Sequence, residues 1–204
     1  MLISLTLVTY SIVYMDSLNQ VFGRPGIYEV LLGTAGVSDN ISPVGLRHFQ
    51  DYRLRLYGGS VTSRNITVHP YCSILITQDP VLFYEGLNGK LKPTSFMYGL
   101  PVLNVSCVII AKCDIQVLGN PSEYSLRPLE FKGECKERPF SRGDSLFVDL
   151  LVHLTRLDIL PQERDKLLEI IRYEIGVIKR TSPYLEKYLE EILDVVRSKG
   201  YKLD

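Results

Sequence analysis

The stretch "YRLRLY" (residues 52–57) alternates polar and apolar side chains with a period of two, the pattern of a strand with one buried face. Upstream, "GIYEVLLGTAG" (26–36) mixes β-branched and aromatic residues and runs into the turn signal "VSDN"; "ISPVGLRHF" follows as its hairpin partner. From Ser60 the pattern changes. "SVTSRNITVHP" predicts a short helix capped by Ser60 or Thr62, and Pro70 forbids its continuation. "YCSILIT" is a short, fully apolar strand, and "QDPVLFYEGL" opens a second helix with Asp79 as its N-cap and Pro80 at the first helical position. "NGKLKPTSFMYGLP" reads as a linker. Two long extended stretches, 102–118 and 124–138, are rich in β formers and are joined by the turn residues of "GNPS".

Beyond Ser141 the spacing becomes helical, in "RGDSLFVDLLVHLTRLDIL", "PQERDKLLEIIRYEIGVIKR" and "SPYLEKYLEEILDVVRSKG". Leu146, Leu150, His153 and Leu157 recur at intervals of three and four and so share one helix face. Pro161 and Pro183 sit at helix starts. The pattern predicts a mainly β protein with helices, of the α+β class. An apolar, irregular extension covers 1–22, a mostly antiparallel β-barrel covers 23–140, and a helical part covers 141–204. There is no internal repeat and no low-complexity tract.

A length of 204 residues with 46% hydrophobic content supports an ordinary buried core. Lys plus Arg and Asp plus Glu each number 23, so the formal net charge is zero and the basic footprint of a nucleic-acid binder is missing. The first fourteen residues are apolar and uncharged, yet fall short of the ~20 needed to span a bilayer and lack the basic start and cleavage site of a signal peptide. They read as dispensable, a product of an early start codon ahead of Met15, with a weak membrane anchor as the alternative. Cys72, Cys107, Cys113 and Cys135 lie mostly in apolar runs without a Cys-x-x-Cys pair or metal-finger spacing. They read as reduced core thiols of a cytoplasmic protein, with no metal site.

Several motifs invite chemistry. "GDSL" at 143–146 matches the tetrapeptide around the nucleophile of one serine esterase family, but the Asp-x-x-His pairing expected near the carboxy terminus is missing. Ser141 and Asp144 therefore read as helix-cap and first-turn residues. "GLNGKLKPTS" lacks the Gly-Lys-Ser/Thr ending of a phosphate loop. His153 lies beside leucines and reads as a hydrogen-bonded core or interface histidine. "YGGSVTSRN" (57–65) is the richest segment. Gly58 and Gly59 allow close backbone approach, Ser60, Thr62 and Ser63 carry hydroxyls, and Arg64 and Asn65 carry directional donors at a helix start. An anion cradle and a plain capped turn both fit the segment taken alone.

Read in order, "GIYEVLLGTAG", "NISPVGLRHF", "YRLRLYGGSVTSRNI" and "CSILITQDPVLFYEGL", followed by "ERPFSRGDSLFVDLLVHLTRL", resemble the largely archaeal domain-of-unknown-function family four-four-seven over roughly residues 26–196. The resemblance implies a split β-barrel of the FMN-binding type, akin to flavin reductases and pyridoxamine-phosphate oxidases, in a homodimer with FMN near the subunit interface. It implies a phosphate site at Gly59, Ser60, Thr62 and Asn65, with Arg64 as a further contact, and an isoalloxazine ring lined by the backbone of Ser42, Pro43, Val44 and Gly45. The family often carries a basic residue where this chain has Val61, leaving Arg64, Arg55 and Arg53 as replacements. The function implied is FMN-dependent oxidoreduction with the cofactor carrying the chemistry; the alternative is a non-enzymatic flavin-binding protein for storage, sensing or delivery. A third class is an interaction module that kept the barrel and lost the cofactor. The helical tail is expected to pack on the barrel and extend the dimer contact. No nucleic-acid or membrane partner is expected.

Overall fold

The computed structural model describes residues 18–201. It divides into two compact units, one of the residues up to Arg24 with Tyr28–Phe140, the other of Pro25–Ile27 and the chain from Ser141 onward. The main division thus falls where the hydrophobic period lengthens from two to three or four.

Six strands of the first unit, β1 (Gly26–Thr34), β2 (Asn40–His48), β3 (Tyr52–Leu56), β4 (Tyr71–Ile76), β7 (Cys107–Val117) and β8 (Ser122–Gly133), follow one another in the order β2-β3-β8-β7-β4-β1. Pairing of β2 with β1 closes the ring, and a two-residue strand, β9 (Phe140–Ser141), borders β1 as a seventh member. This is the closed six-stranded barrel expected of the fold class. Its strands sort their side chains by parity. Along β7, Cys107, Ile109, Ala111 and Cys113 point into the barrel core, while Val108 and Ile110 join a second apolar layer outside it. Burial on both faces explains why β7 reads as one continuous apolar run. In β3 only one face is buried: Tyr52, Leu54 and Leu56 fill the core and Arg53 and Arg55 point outward.

The outer layer is covered by helix α2 (Pro80–Leu87) and by a hairpin of β5 (Ser95–Met97) and β6 (Leu100–Val102), in a segment whose sequence reads as a linker. Strands of three residues, with Pro93 just before the pair and Pro101 inside β6, carry too little period-two signal to register. Tyr98 and Gly99 turn the hairpin at φ +52° and +76°, the left-handed pair that a two-residue loop requires. Helix α1 (Val61–Val68) begins at Ser60 and stops before Pro70, as its sequence predicts.

Two expectations are corrected. Residues 18–22 are helical, and Leu18, Val21 and Phe22 are buried in the barrel core, so the amino-terminal extension does not run to residue 22. The Phe22 ring packs 5.4 Å from Tyr28 and 5.5 Å from Tyr52. The dispensable segment proposed for 1–14 lies outside the described residues. The cysteines are not all reduced: Cys107 and Cys135 form a disulfide. Pairing of Cys107 opposite Gly133 across β7 and β8 brings Cys135 within reach, at 4.4 Å between Cα atoms, a closeness that a separation of 28 residues conceals. Cys72 and Cys113 remain thiols 3.3 Å apart in the core, and contact with Cys113, then burial, push the Cys72 thiol well up. Cysteine usage therefore gives no argument for a reducing compartment.

The second unit holds helices α3 (Arg142–Arg156), α4 (Arg164–Thr181) and α5 (Glu186–Ser198), the last two entered through single 3-10 turns that open at Pro161 and Pro183. Leu150, Leu157, Ile171, Ile178 and Leu189 form its core. Among the described residues no helix is long and apolar enough to cross a membrane.

Candidate anion cradle at the start of α1

The turn between β3 and α1 is built as the sequence suggests, with its groups committed in a different way. Gly59 takes φ +86°, open to glycine at no steric cost, and nothing lies within 4 Å of where a Cβ would stand, so its need is conformational. The Gly58 N–H is spent on the Asn120 Oδ1 at 2.9 Å. Ser60 is the N-cap: its Oγ accepts from the Ser63 N–H at 3.1 Å and donates to the Tyr57 carbonyl at 3.2 Å. The N–H groups of Val61 and Thr62, in the first turn, have no carbonyl a turn earlier to bond, and they carry the positive end of the helix dipole.

Thr62 is almost fully buried and knits α1 to β2. Its Oγ1 lies 2.7 Å from the Ser42 Oγ and accepts from the Asn40 Nδ2 at 2.9 Å, while Asn40 also reaches Ser42 at 3.3 Å. The sequence reading missed Asn40; its signal was a polar side chain two residues before Ser42, hence on the same face of a strand.

These groups border a cavity of about 470 Å³ where the start of β2, the end of β3, the first turn of α1 and the end of α2 meet. Of the sequence-selected residues, Ser42, Pro43, Val44, Gly45, Ser60 and Thr62 line it, and Gly59, Arg64 and Asn65 do not. Arg55 is the single cation on its wall, and among the described residues no carboxylate lines it. The remaining wall is largely apolar, with Leu56, Val61 and Leu87. Gly86 lets α2 pack closely on the sheet: a Cβ there would stand 3.1 Å from both Pro43 and Leu91 and 3.3 Å from Leu31. The "GLNG" run that failed as a phosphate loop thus contributes Gly86, Leu87 and Gly89 to the same cavity.

Asn65 serves another purpose. It is fully buried; its Oδ1 accepts from the N–H groups of Val37 (2.8 Å) and Ser38 (3.3 Å), and its Nδ2 donates to the Ser38 carbonyl (2.6 Å) and the Thr34 Oγ1 (3.0 Å). With both ends of the amide spent, it ties the β1–β2 turn to α1 and has no donor left for a ligand. Arg64 is exposed on α1. In the second unit, His153 Nδ1 lies 2.9 Å and 3.1 Å from the two carboxylate oxygens of Glu174, which is 3% exposed, as a core-facing histidine should be. Ser145 of "GDSL" donates to the Ser141 carbonyl at 3.1 Å, and the Asp144 carboxylate accepts from Ser182 and Tyr184.

Nothing in this arrangement supplies a histidine–carboxylate acid–base pair to the cavity. What it offers is hydroxyls, first-turn N–H groups and one guanidinium beside an apolar wall. In comparisons with known proteins, the family described as protein of unknown function (DUF447) matches the chain twice, its N-terminal domain over residues 28–137 and a second domain over 141–194. Among solved structures, an FMN-bound protein of that family from Methanosarcina mazei is 26% identical with a TM-score of 0.53, covering 80% of this chain and 91% of its own. An FMN-binding protein from Thermus thermophilus with bound p-hydroxybenzaldehyde is 12% identical (TM-score 0.43, 54% of this chain and 73% of that one). A putative flavin reductase with a split barrel domain from Shewanella frigidimarina is also 12% identical (TM-score 0.46, 58% and 72%). No curated protein matches the sequence.

Proposed function

We propose that this chain, which belongs to the DUF447 family, binds flavin mononucleotide in the cavity at the start of α1 and acts as a flavin-dependent oxidoreductase. The observation that carries the reading is the composition of the cavity wall. It combines a helix N-terminus, the hydroxyls of Ser42, Ser60 and Thr62 and the Arg55 guanidinium, which also pairs at 3.0 Å with Glu123 outside the lining, with apolar residues and glycines. The FMN-bound relative from Methanosarcina mazei supports it. In this assignment the first-turn N–H groups hold the phosphate, Ser60 joins them by turning its hydroxyl from the Tyr57 carbonyl and Thr62 by way of its pair with Ser42, and Pro43, Val44 and Gly45 flank the ring. Arg55 supplies the charge that Val61 does not. Asn65 acts by holding the turn. The bound flavin would supply hydride and electron transfer, with the protein contributing binding and orientation.

The partner we propose is a second copy of this chain. Tyr57 and Leu87, at the cavity wall, are 68% and 77% exposed, an apolar rim of the kind a partner covers. Molar mass by light scattering tests this; a monomer at all concentrations would reject it. The function is tested by the absorbance spectrum of the purified protein before and after denaturation, then by anaerobic addition of NADH or NADPH. One flavin per chain with donor-dependent bleaching is expected. Bound flavin that no donor reduces would favour the non-enzymatic reading, and a protein that refuses added FMN would sink both.

A further inference from the structure

Where α1 ends and β4 begins, a separate cavity of about 420 Å³ opens on the outer face of the barrel beside the turn of the β5–β6 hairpin. We propose that it binds an organic cation, a quaternary ammonium or protonated alkylamine on a small apolar body.

The charge on the wall sets the sign of the ligand. His69, Tyr71, Tyr98 and Glu130 line the cavity over the buried side chains of Leu100 and Ile110, and no lysine or arginine is among the lining residues. Glu130 lacks a counter-ion. Its Oε2 accepts from the Tyr98 hydroxyl at 2.6 Å, its Oε1 accepts from no group, and among the described residues no cation pairs with it. The lysines and arginine near this sheet face belong elsewhere. Lys112, opposite Tyr71 in the β4–β7 register, lies 2.6 Å from Asp114, whose carboxylate Arg127 also approaches at 3.7 Å. Lys132, two residues beyond Glu130 on β8, lines a different cavity. A metal ion would find no set of three protein ligands among the described residues. A carboxylate with an unspent oxygen beside aromatic faces favours a cation that uses both.

The rings leave room for such a group. His69 and Tyr71 stand 5.1 Å apart at 45°, tilted and not stacked, while Tyr98 reaches the cavity from the hairpin and makes no ring contact among the described residues. Tyr98 is also an unusual choice on local grounds. It takes φ +52°, where glycine, asparagine or aspartate is the ordinary residue, and it is 74% exposed. Its one side-chain hydrogen bond among the described residues is the bond to Glu130. A bulky ring held in a left-handed turn and tied to a carboxylate without a counter-ion marks a ligand clamp. Leu100 and Ile110 supply the apolar base for the body of the ligand, and the volume is within the range of small-molecule sites.

The proposal does not rest on the flavin reading. Choline and its neutral carbon isostere neohexanol, in which tert-butyl replaces trimethylammonium, are titrated into the full chain at constant ionic strength, with and without excess FMN, and followed by amide NMR shifts. Choline should bind roughly tenfold more tightly than neohexanol, the worth of the charge at a half-exposed aromatic site. Its shifts should centre on residues 69–71, 98 and 130, and excess FMN should not displace it. Glu130→Gln keeps an acceptor for Tyr98 and should weaken choline roughly tenfold while leaving neohexanol unmoved. Tyr98→Asn suits the turn but removes the ring, so choline should weaken severalfold with no loss of melting temperature; Tyr98→Phe keeps the ring and should retain most of the binding. No binding of choline, equal binding of the two probes, shifts confined to another part of the chain, or full affinity in both Glu130→Gln and Tyr98→Asn overturns the proposal. Choline binding in a chain that refuses FMN would reject the flavin reading and uphold this one. A variant that melts early is replaced by Tyr71→Leu, for which a severalfold loss is expected.

Discussion

At the residue scale, chemically similar side chains separate by whether their hydrogen-bonding capacity is already consumed. Asn65 and Ser60 both sit in "GGSVTSRN", but Asn65 bonds inward at every position while Ser60 caps a helix at the cavity edge. Asn65→Ala leaves several buried groups unpaired; a loss of roughly 3 kcal/mol is expected from the ~1 kcal/mol typical of each bond, read by chemical denaturation. Arg55→Ala should instead spare the fold and weaken FMN binding by roughly ten- to a hundredfold, the worth of a charge-assisted contact, measured by flavin fluorescence quenching. His48 is 9% exposed, stacks on Tyr52 at 4.4 Å, and has a buried Nδ1 with no hydrogen-bond partner among the described residues. Burial pushes its pKa down. The unfolded chain then binds the proton more readily, so stability is complete above about pH 6.5 and falls as pH drops through that value toward the folded pKa. In His48→Phe, urea melts at pH 7.5 and 5.5 should differ by less than in the parent; an unchanged difference would reject the assignment.

At the element scale, the β5–β6 hairpin shows what a short, weakly patterned segment does once tertiary contacts hold it. Ser73 on β4 donates to the Pro101 carbonyl at 2.6 Å, and Gly33 on β1 lets that carbonyl approach: a Cβ there would stand 2.1 Å from it and 2.2 Å from the Ser73 Oγ. Gly33→Ala therefore must displace either the hairpin or the serine. A destabilisation of about 1–3 kcal/mol is expected, with increased amide exchange across residues 95–102. Local stability loss without any change in the hairpin's exchange would show that the strain is absorbed elsewhere. Gly86 tests the same principle where α2 meets the outer apolar layer: with Pro43 and Leu91 3.1 Å and Leu31 3.3 Å from a new Cβ, the alanine variant should melt several degrees lower, and an unchanged melting temperature would show that the neighbours give way.

At the scale of the whole molecule, the pairing of β8 with β7 and with β3 sets Cys107 near Cys135 and brings Glu123 to the arginines of the β2–β3 hairpin. Closing a loop across 28 residues by the Cys107–Cys135 bond stabilises by roughly 3–4 kcal/mol on chain-entropy grounds. Thiol titration in denaturant should count two groups, rising to four after reduction, and the reduced protein should melt several degrees lower. Four thiols at the outset would reject the bond. Much of the fold was legible beforehand, because the information was local. Period-two alternation marked β3, the Ser60 and Asp79 caps marked both short helices, Pro161 and Pro183 marked the later ones, and resemblance in order and spacing pointed to the barrel type. Pairing across the closed sheet was not local. Tertiary packing alone decided that Cys107 meets Cys135, that Asn65 faces inward, that Gly86 abuts Pro43 and Leu91, and that Arg47, Arg53 and Arg55 share the carboxylate of Glu123. The sequence determines which residues prefer strand, helix or turn, since those preferences rest on neighbours within four positions; which functional groups confront each other is left to the packing of segments tens of residues apart, where burial and hydrogen-bond satisfaction choose the partner.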